Sequence, residues 1–461
     1  MLIPHWPIYT GPNKDMEYCL TRMYFILQKL NNPNLKLRNI IHITGTKGKG
    51  STALYISNIL RRAGYKVNTY ISPHIYECNE RILLNGVPVR DEELFEATEK
   101  IRLICENDRN VNDFFKNNDS LNLEPSLFES LTCSAFEIMS KNNADFNVIE
   151  VGMGGLFDAT NVFKDNPPLI CVFTPIHMDH VKFLGDSIEK IAMNKSALIK
   201  EGTKAVVLSS QPKEVKDILK NVAKENKVAD NFIFCYGEDY EVFKDEENSL
   251  PFFESSKIET LFPFPQPNMA GDYQLINAGC AIMACLLCSK LGFAEQLSLQ
   301  SIEDGIHNTV NIVRMQQIKS GKLFEKLPKN SLFYVDGAHN QLSAHALSKF
   351  IQDFKKKNKD YKICVAVART KGAKNIDFLK EFLVENIPIV DLVVCTRANL
   401  ESIPEPPEKI VQACENLLIS CSVAYDIGSV VDCVVDFAEN QKVLFICTGS
   451  LYIARDIFKF S

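Results

Sequence analysis

The sequence has little of what would make a chain fibrous, disordered or broadly basic. Glycine and proline number 21 and 20 among 461 residues, so long flexible or proline-rich linkers are not expected. Lysine and arginine total 51 against 57 acidic residues, a net charge of −6. No general positive field is therefore present to hold a nucleic acid, although a local basic pocket remains compatible with these numbers.

Long hydrophobic runs are also lacking. The best apolar run, residues 278–288, has the length of a core helix and falls short of the ~18 residues that span a bilayer. The N-terminus has neither a basic, apolar signal pattern nor an Arg-rich transit pattern. We expect no membrane contact and a cytoplasmic location, with a mitochondrial pool as the open alternative.

Cysteine is not scarce, but its pattern excludes a disulfide framework. Fifteen cysteines form an odd set that lies mostly inside apolar runs, which is typical of buried, reduced thiols. The one close pair, Cys285 and Cys288, has no second pair to complete a tetrahedral zinc site. We interpret it as part of one apolar helix face in a protein of a reducing compartment.

The chain alternates between strand and helix patterns along most of its length. At roughly 100–200 residues per domain, two or three domains are expected. A strand at 39–43, a Gly-rich turn, a helix closed by Gly64 and a strand at 67–71 form one βαβ unit. Repeated alternation predicts a parallel sheet with helices on both faces, and it restarts after 306–316. We predict a larger α/β domain over 1–308 and a smaller Rossmann-like α/β domain over 309–461.

The turn from Gly45 to Thr52 has the character of a phosphate-binding loop. Backbone N–H groups between a strand and a helix N-terminus point at an anion, and the helix dipole adds to them. Lys49 is placed to reach the β- and γ-phosphates, and Ser51 or Thr52 offers a hydroxyl to phosphate or Mg²⁺. Gly50 stands where the general loop pattern has Ser or Thr. The predicted nucleotide contacts in this loop are Gly48, Lys49, Gly50, Ser51 and Thr52.

Three further positions suggest metal or acid–base chemistry. Glu150 ends a predicted strand, where open parallel sheets place their ligand sites, and its carboxylate suits Mg²⁺. The segment 177–180, His-Met-Asp-His, leaves a zinc or di-metal hydrolase open, but no HExxH helix or further histidine cluster supports it. Lys195 lies among apolar residues of a predicted helix, a placement typical of a surface lysine with a buried stem.

Several motifs in chain order together resemble the folylpolyglutamate synthase and dihydrofolate synthase family of the Mur ligase superfamily. They are Gly-Thr-x-Gly-Lys-Gly-Ser-Thr at 45–52, Ser-Pro-His at 72–74 with Glu-Arg-Ile at 80–82, Glu-Val-Gly-Met-Gly-Gly at 150–155 with Asp-Ala-Thr-Asn at 158–161, Asp-His at 179–180 with Lys195, Asp-Gly-Ala-His-Asn at 336–340, and Gly-Ser-Leu-Tyr at 449–452. The resemblance implies a two-domain fold of the Mur ligase type. Its N-terminal domain would be a P-loop ATPase domain and its C-terminal domain Rossmann-like.

The same resemblance implies roles for individual residues. Ser72, Glu150 and His180 are implied as Mg²⁺ ligands, and Lys195 as a carbamoylated lysine that serves a second Mg²⁺. An ammonium group cannot ligate a cation, which is the physical reason for the modification. The implied catalytic groups are Lys49, Lys195 and His180, with ATP and two Mg²⁺ as cofactors and a monovalent cation left open. His177 and Asp179 are interpreted as structural.

In the second half of the chain the resemblance implies nucleotide contacts and also shows departures. Asn277, Arg314, Asp336 and His339 resemble groups that contact adenine, phosphate and ribose, and ATP would lie between the two domains. The segment before Arg314 reads Asn-Ile-Val where the family has Trp-Pro-Gly. Leu156 stands where the family commonly has arginine, so the contact credited to that arginine is in doubt.

The implied reaction is ATP-dependent amide formation through an acyl phosphate, with L-glutamate as the amine. The implied pterin site comprises Phe128, Glu129, Phe157, Asp158 and Ala159. Because Glu129 stands where eukaryotic polyglutamate synthases carry a basic residue, we predict a dihydrofolate synthase acting on 7,8-dihydropteroate. A folylpolyglutamate synthase acting on the γ-carboxylate of reduced folates, a bifunctional enzyme and a non-catalytic P-loop nucleotide switch remain alternatives. The expected partners are small molecules, without nucleic acid or membrane, and the expected state is a monomer.

Overall fold

Two parallel sheets, one in each half of the chain, form the framework of the protein. The computed structural model describes residues 19–74, 77–107, 125–247, 249–269, 271–310, 315–338, 341–369, 375–387, 389–397 and 405–458. Unit 1 comprises residues 1–268 and 272–309, and unit 2 comprises residues 269–271 and 310–461. The predicted α/β class with parallel sheets is confirmed.

The main sheet of unit 1 has eight strands in the order β4-β3-β2-β5-β1-β6-β7-β8. The strands are β1 (Ile40–Thr44), β2 (Val67–Tyr70), β3 (Ile82–Leu84), β4 (Val87–Pro88), β5 (Phe146–Glu150), β6 (Ile170–Phe173), β7 (Ala205–Leu208) and β8 (Ile233–Cys235). From β2 to β8 neighbouring strands are parallel, whereas β3 and β4 pair antiparallel at one edge. The parallel strands β1, β2, β5, β6 and β7 are buried along their whole length, as expected where helices cover both faces of a sheet.

The strand order reverses direction around β1. After β1 the chain crosses to β2 on one side, returns to β5, and then passes β1 to reach β6 on its other side. Such a reversal opens a crevice at the carboxyl ends of the central strands, where open α/β sheets bind their ligands. The topology therefore places any ligand site next to the residues that follow β1, β2, β5 and β6.

Helices cover this sheet. They are α1 (Cys19–Lys29), α2 (Lys49–Arg62), α3 (Asp91–Asn107), α4 (Leu127–Lys141), α5 (Val181–Leu184), α6 (Ile188–Ser196), α7 (Lys213–Glu225), α8 (Tyr273–Lys290) and α9 (Leu299–His307). The predicted helices at 130–140, 188–199 and 277–291 correspond to α4, α6 and α8. The predicted surface segment 106–122 lies outside the described residues except for its first two, which end α3.

A small antiparallel sheet in unit 1 is not among the elements that the sequence predicts. Strands β9 (Glu241–Lys244), β10 (Pro251–Ser255) and β11 (Thr260–Pro263) pair in the order β11-β10-β9. The strands are short and only partly buried, so their apolar residues do not form the continuous runs that mark the parallel strands.

Unit 2 has a six-stranded sheet in the order β12-β13-β17-β14-β15-β16. Its strands are β12 (Gln316–Ile318), β13 (Leu332–Val335), β14 (Lys362–Ala368), β15 (Leu392–Thr396), β16 (Cys421–Val423) and β17 (Val443–Thr448). Its helices are α10 (Lys322–Glu325), α11 (Gln341–Lys357), α12 (Asn375–Asn386), α13 (Glu408–Asn416), α14 (Ile427–Ala438) and α15 (Leu451–Phe458). All strands are parallel except β12, so this half has the predicted Rossmann-like alternation.

Among the described residues one helix, α8, is long and apolar enough to cross a membrane by length and composition alone. Its mean hydropathy is 1.2 over 18 residues, and 72% of that window is buried inside the protein. The burial is that of a core helix, because α8 packs against α2 on the face of the sheet. Helix α8 is longer than the 11-residue apolar run seen in the sequence because the helix also includes residues 273–277 before the run and residues 289–290 after it.

Helix α9 crosses α2 at a glycine. A Cβ at Gly305 would lie 2.6 Å from the Cα of Ile59 and 2.7 Å from its backbone nitrogen. Backbone atoms cannot rotate away as a flexible side chain does, so only glycine allows this close approach of the two helices.

We predict that Gly305→Ala destabilises the protein by about 1–3 kcal/mol through overpacking. Alanine is the better helix former by about 1 kcal/mol, so helix propensity alone predicts the opposite sign. Urea denaturation of the full chain measures the change. Gln300→Ala, at an exposed position of the same helix, is the matched control and should stay within about 0.5 kcal/mol of wild type. A Gly305→Ala protein as stable as wild type would contradict the close contact.

Candidate active site

Polar and glycine residues gather where the central parallel strands end. The loop that begins at Gly45 follows β1, Ser72 follows β2, Glu150 is the last residue of β5, and Thr174 follows β6. Thr44 Oγ1 donates to the carbonyl of Gly154 at 2.7 Å, which joins the end of β1 to the loop after β5. The crevice created by the strand reversal is therefore lined by the residues that the sequence singles out.

The phosphate-type loop is shaped by two glycines with positive φ. A Cβ at Gly45 (φ 148°) would lie 1.9 Å from Thr174 Oγ1, and one at Gly48 (φ 84°) would lie 2.3 Å from Asn277 Oδ1. Helix α2 begins at Lys49, directly after Gly48. The loop therefore presents backbone N–H groups at the positive end of a 14-residue helix, an arrangement that binds anions.

Hydrogen bonds from Thr46, next to Gly45, fix the start of this loop to the segment after β6. The backbone N–H of Thr46 donates to the Pro175 carbonyl at 2.9 Å. Thr46 Oγ1 donates to the His177 carbonyl at 3.2 Å and accepts from the His177 N–H at 3.0 Å. His177 thus supports the loop through its main chain, whereas burial, with a smaller contribution from Lys47, lowers the pKa of its ring. This is the structural use that the sequence predicts for His177.

Two lysine amines converge on one carbonyl oxygen of the loop. Lys195 Nζ, from α6, donates to the Gly45 carbonyl at 2.9 Å, and Lys49 Nζ lies 3.4 Å from the same oxygen. Lys195 is only 3% exposed. Burial, and then the charge of Lys49, lower the pKa of Lys195 to about 7, although Asp179 and Asp158 oppose this shift. A large fraction of Lys195 is therefore a neutral, nucleophilic amine near neutral pH.

Glu150 is the buried carboxylate of the crevice. It is 4% exposed, and its Oε2 accepts the backbone N–H of Ser72 at 2.8 Å. A Cβ at Gly50 would lie 3.3 Å from the same oxygen, tighter than ordinary packing. The carboxylate therefore lies close to where a side chain after the lysine would begin, and this packing favours glycine where the general loop pattern has Ser or Thr.

The donors at this point suit a hard cation. The Glu150 carboxylate and the Ser72 hydroxyl are oxygen ligands of the kind that Mg²⁺ prefers. The Lys195 amine does not fit as a ligand while it carries a proton, and it fits once it carries a carboxylate as a carbamate. The structure thus supplies one set of oxygen donors directly and a second donor only after modification.

His180 is the most exposed of the predicted ligands. It has φ 47° and precedes the short helix α5, and its ring nitrogen Nε2 lies 3.7 Å from Asp179 Oδ2. Its side chain is 54% exposed. His180 belongs to the loop that follows β6, and its role as a metal ligand stays a prediction.

Helix α8 contributes polar groups to the phosphate loop. Asn277 Nδ2 donates to Gln274 Oε1 at 3.0 Å, and Gln274 Nε2 lies 3.4 Å from Ser51 Oγ. Both amides are buried, and Asn277 packs on Gly48. The sequence predicts Asn277 but misses Gln274. Gln274 could have been found as a polar residue one helical turn before Asn277 on a mostly apolar helix.

The segment predicted to bind the acid substrate lies beside the crevice. A Cβ at Gly152 would lie 2.5 Å from the Phe128 ring, so this ring packs directly on the loop after β5. The ring stacks with Tyr70 at a centroid distance of 6.2 Å, and the Arg81 guanidinium lies 6.0 Å from its centroid. Arg81 Nε also donates to His74 Nδ1 at 2.8 Å.

Asp158 holds this loop together from inside. Its Oδ2 accepts the Met153 N–H at 2.8 Å, and its Oδ1 accepts the Thr160 N–H at 3.0 Å and the Thr160 hydroxyl at 2.6 Å. Burial raises its pKa, against the lowering effect of these hydrogen bonds. Ala159 is buried, Phe157 is half-buried, and Leu156 is 41% exposed. Asp158 therefore shapes the loop that carries Phe157 and Ala159.

The charge argument that the sequence suggests for Glu129 needs correction. Arg22 Nε and Nη2 donate to the two carboxylate oxygens of Glu129 at 2.7 and 2.8 Å. Both side chains are nearly buried. Glu129 therefore presents a neutralised ion pair, and its carboxylate does not act as a free negative charge. Arg22 is more than 100 positions away in the sequence, so no local pattern reveals this pairing.

In unit 2, Asp336 organises the end of β13. Its Oδ2 accepts the Met315 N–H at 2.9 Å, and its Oδ1 accepts the Ala338 N–H at 2.8 Å. Ala338 O in turn accepts the N–H of Gly449 at 3.0 Å. Asp336 thus joins the start of β12 to the turn after β13, and Ala338 of that turn contacts Gly449 after β17. The predicted contacts Arg314 and His339 lie outside the described residues.

Comparisons with known proteins match both halves of the chain. A family model described as "Mur ligase middle domain" matches residues 94–285, and one described as "Dihydrofolate synthetase, C-terminal domain" matches residues 321–460. The chain is 28% identical to the dihydrofolate synthase/folylpolyglutamate synthase of Bacillus subtilis, over 95% of this chain and 94% of that protein.

Two further comparisons cover nearly the full length. The chain is 27% identical to the dihydrofolate synthetase of Saccharomyces cerevisiae, over 96% of this chain and 98% of that protein. It matches the crystal structure of the folylpolyglutamate synthase of Thermotoga maritima with a TM-score of 0.75 and 25% identity, over 95% and 92% of the two chains. The resemblance predicted from the motifs is confirmed. The chain belongs to the folylpolyglutamate synthase and dihydrofolate synthase family, within the Mur ligase superfamily.

Proposed function

We propose that the protein is an ATP-dependent ligase that joins L-glutamate to 7,8-dihydropteroate through an acyl phosphate. The observation that carries the proposal is the convergence of a phosphate loop, a buried carboxylate and a buried lysine of lowered pKa at one crevice of unit 1. Lys195 and Lys49 share the Gly45 carbonyl, and Glu150 lies against Gly50. Relatives named dihydrofolate synthase/folylpolyglutamate synthase and dihydrofolate synthetase support the choice of reaction.

The loop from Gly45 to Thr52 binds the phosphates of ATP. The backbone N–H groups at the start of α2 and the Lys49 amine meet the negative charge. Gln274 and Asn277 hold the loop from the side of α8. Asn277 is the proposed contact for the base. In unit 2, Asp336 is the proposed contact for ribose, and Arg314 and His339 keep their predicted roles toward phosphate and ribose.

Ser72, Glu150 and His180 are proposed to hold Mg²⁺, and carbamoylated Lys195 a second Mg²⁺. These ions supply charge neutralisation for the triphosphate. Lys195 suits carbamoylation because burial and Lys49 lower the pKa of its amine to about 7. A neutral amine forms a bond to the carbon of CO₂ and releases one proton, which leaves a carboxylate on the side chain. A non-catalytic nucleotide switch has no need of such a group.

The reaction follows from positioning and electrostatic stabilisation. The γ-phosphoryl group of ATP passes to the carboxylate oxygen of the pteroate, and ADP leaves. The α-amino group of L-glutamate then attacks the acyl carbon. The C–O bond to phosphate breaks with its electron pair, the amine loses a proton, and the amide and phosphate remain. Lys49 stabilises the charge that develops on the transferred group.

The substrate side of the crevice favours a flat ring with little charge. Phe128 and Tyr70 stack beside Gly152, and the nearby Glu129 is neutralised by Arg22. The half-buried Phe128 is the proposed stacking partner of a pterin ring, and the buried Tyr70 supports it from behind. The half-buried Phe157 is a further proposed contact, on the loop that Asp158 fixes and in which Ala159 is buried. Folylpolyglutamate synthase activity, alone or in addition, is the second candidate because relatives of both names match.

The remaining proposals concern the setting of the enzyme. The fifteen cysteines are mostly buried, which agrees with a reducing compartment, so we place the protein in the cytoplasm, with a mitochondrial pool as the alternative. The substrates are small molecules and the net charge is −6, so neither nucleic acid nor membrane is required. We also propose that the protein is a monomer and that a monovalent cation binds near the phosphates.

A substrate comparison tests the reaction. The full chain with MgATP and L-glutamate is offered dihydropteroate or tetrahydrofolate, and phosphate release and the amide product are measured. We expect turnover that requires both L-glutamate and dihydropteroate, and a loss of at least about 10²-fold in Lys49→Ala. The exposed-loop change Lys204→Ala should match wild type. Turnover with tetrahydrofolate alone would favour the second candidate, and no turnover with either acid would contradict the ligase.

Lys195 offers a second test with a spectroscopic readout. Labelled bicarbonate should give a carbamate carbon signal in the wild-type protein that Lys195→Ala lacks, and this variant should lose about 10²- to 10³-fold in kcat. Because protonation removes the reactive amine, the signal should decline as the pH falls below about 7. Lys200→Ala removes another partly buried lysine with a lowered pKa and should keep the signal. An unimpaired Lys195→Ala enzyme would contradict the proposal.

Variants of the Arg22–Glu129 ion pair test whether the charge of Glu129 selects the acid substrate. Removing one partner, as in Arg22→Ala, should cost about 3–5 kcal/mol in urea denaturation because it leaves a buried charge unpaired. The double variant Arg22→Leu with Glu129→Leu should recover most of this loss and keep the wild-type ratio of kcat/KM for dihydropteroate and tetrahydrofolate. A shift of that ratio toward tetrahydrofolate would mean that the Glu129 charge does select the substrate.

A further inference from the structure

Three cysteine side chains of unit 2 converge at one point. The sulfur atoms of Cys395, Cys414 and Cys421 all lie within 4.8 Å of one another. Among the described residues this is the one place where three thiols meet. The ligase chemistry uses none of them, and the sequence separates them by 19 and 7 positions, so no local motif marks the group.

Regular secondary structure defines the geometry of this thiol cluster. Cys421 begins β16 and pairs in register with Val393 of β15. Cys395 lies two residues after Val393 on the same strand, so Cys395 and Cys421 project from the same face of the sheet. Helix α13, which carries Cys414, packs against both β15 and β16. Two strands and one helix therefore hold the three sulfur atoms in a triangle.

The sulfur donors of the thiol cluster favour a soft metal ion over a hard one, and the cluster is partly accessible from solvent. Cys395 and Cys414 are buried among apolar residues that include Ile410 and Ile419, whereas Cys421 is half-buried. Thiolate sulfurs select thiophilic ions such as Zn²⁺ and Cu⁺ over Mg²⁺. Cys421 provides the route by which an ion enters, which a metal site needs.

We propose that Cys395, Cys414 and Cys421 bind one thiophilic d¹⁰ metal ion, Zn²⁺ or Cu⁺, through three thiolates. The ion links the edge strand β16 and helix α13 to β15. Binding displaces the three thiol protons and forms three metal–sulfur bonds, without any change in oxidation state. The site lies within unit 2 and is separate in its ligand chemistry from the oxygen donors of unit 1.

Metal titration of the full chain tests the site. Untagged protein, reduced and freed of metal, is titrated with Zn²⁺ in one arm and Cu⁺ in another, each against a chromophoric chelator and without Mg²⁺. We expect the protein to retain one equivalent of Zn²⁺ or of Cu⁺ against the chelator. The titration in which the metal is retained identifies the ion. Cys414→Ser and Cys421→Ser should each lower the affinity at least tenfold. Cys433→Ser, a half-buried thiol of α14 outside the cluster, is the matched control.

A second measurement needs no variant and so does not depend on how a variant folds. The wild-type chain is alkylated with and without the ion, and mass spectrometry follows each cysteine. The ion should slow modification of Cys421 at least tenfold and leave Cys433 unchanged. Equal rates at Cys421, a full equivalent retained by the Cys414→Ser, Cys421→Ser double variant, or a disulfide among the three sulfurs in place of metal binding would overturn the proposal.

Discussion

Two lysine amines meet at one backbone oxygen at the carboxyl edge of the main sheet, and the site depends on this crowding. Lys49 and Lys195 both approach the Gly45 carbonyl, so their charges repel, and burial makes the proton of Lys195 easy to lose. Glu150 fills the space beside Gly50. The lysine of the phosphate loop and the lowered pKa of the buried Lys195 amine are thus two results of the same packing.

Three glycines of the phosphate loop lie where other segments pack closely against its backbone. Gly45 lies against Thr174, Gly48 against Asn277 and Gly50 against Glu150. Thr174 follows β6, Asn277 belongs to α8 and Glu150 ends β5, so each glycine marks the approach of a different segment to the loop backbone. The carboxylate that ends β5 lies close to Gly50, which favours glycine at this position after Lys49. The phosphate loop and the acidic strand end are therefore close neighbours.

The substrate side shows how local and long-range information differ. The motifs around Phe128 and Asp158 predict a ligand loop, and the structure brings Phe128 onto Gly152 and uses Asp158 to hold the loop. The charge that the sequence attributes to Glu129 is cancelled by Arg22. A bidentate ion pair between α1 and α4 changes the electrostatics of the pocket without altering any motif. Arguments about substrate charge from this segment alone are therefore incomplete.

Much of this protein was determined by the sequence itself. Runs of β-branched residues, glycine turns and helical periodicity predicted the alternation of strands and helices, because these signals act within a few residues. The phosphate loop and Glu150 were predicted from signals of the same short range, whereas local pattern alone marked Lys195 as a surface lysine and only the family resemblance implied a role for it; the structure buries Lys195. The sequence did not predict the small antiparallel sheet, whose short, half-exposed strands give a weak pattern. It also missed Gln274, the Arg22–Glu129 pair and the thiol cluster of Cys395, Cys414 and Cys421. These depend on which strands and helices become neighbours, and only the folded chain brings residues so far apart in sequence into contact.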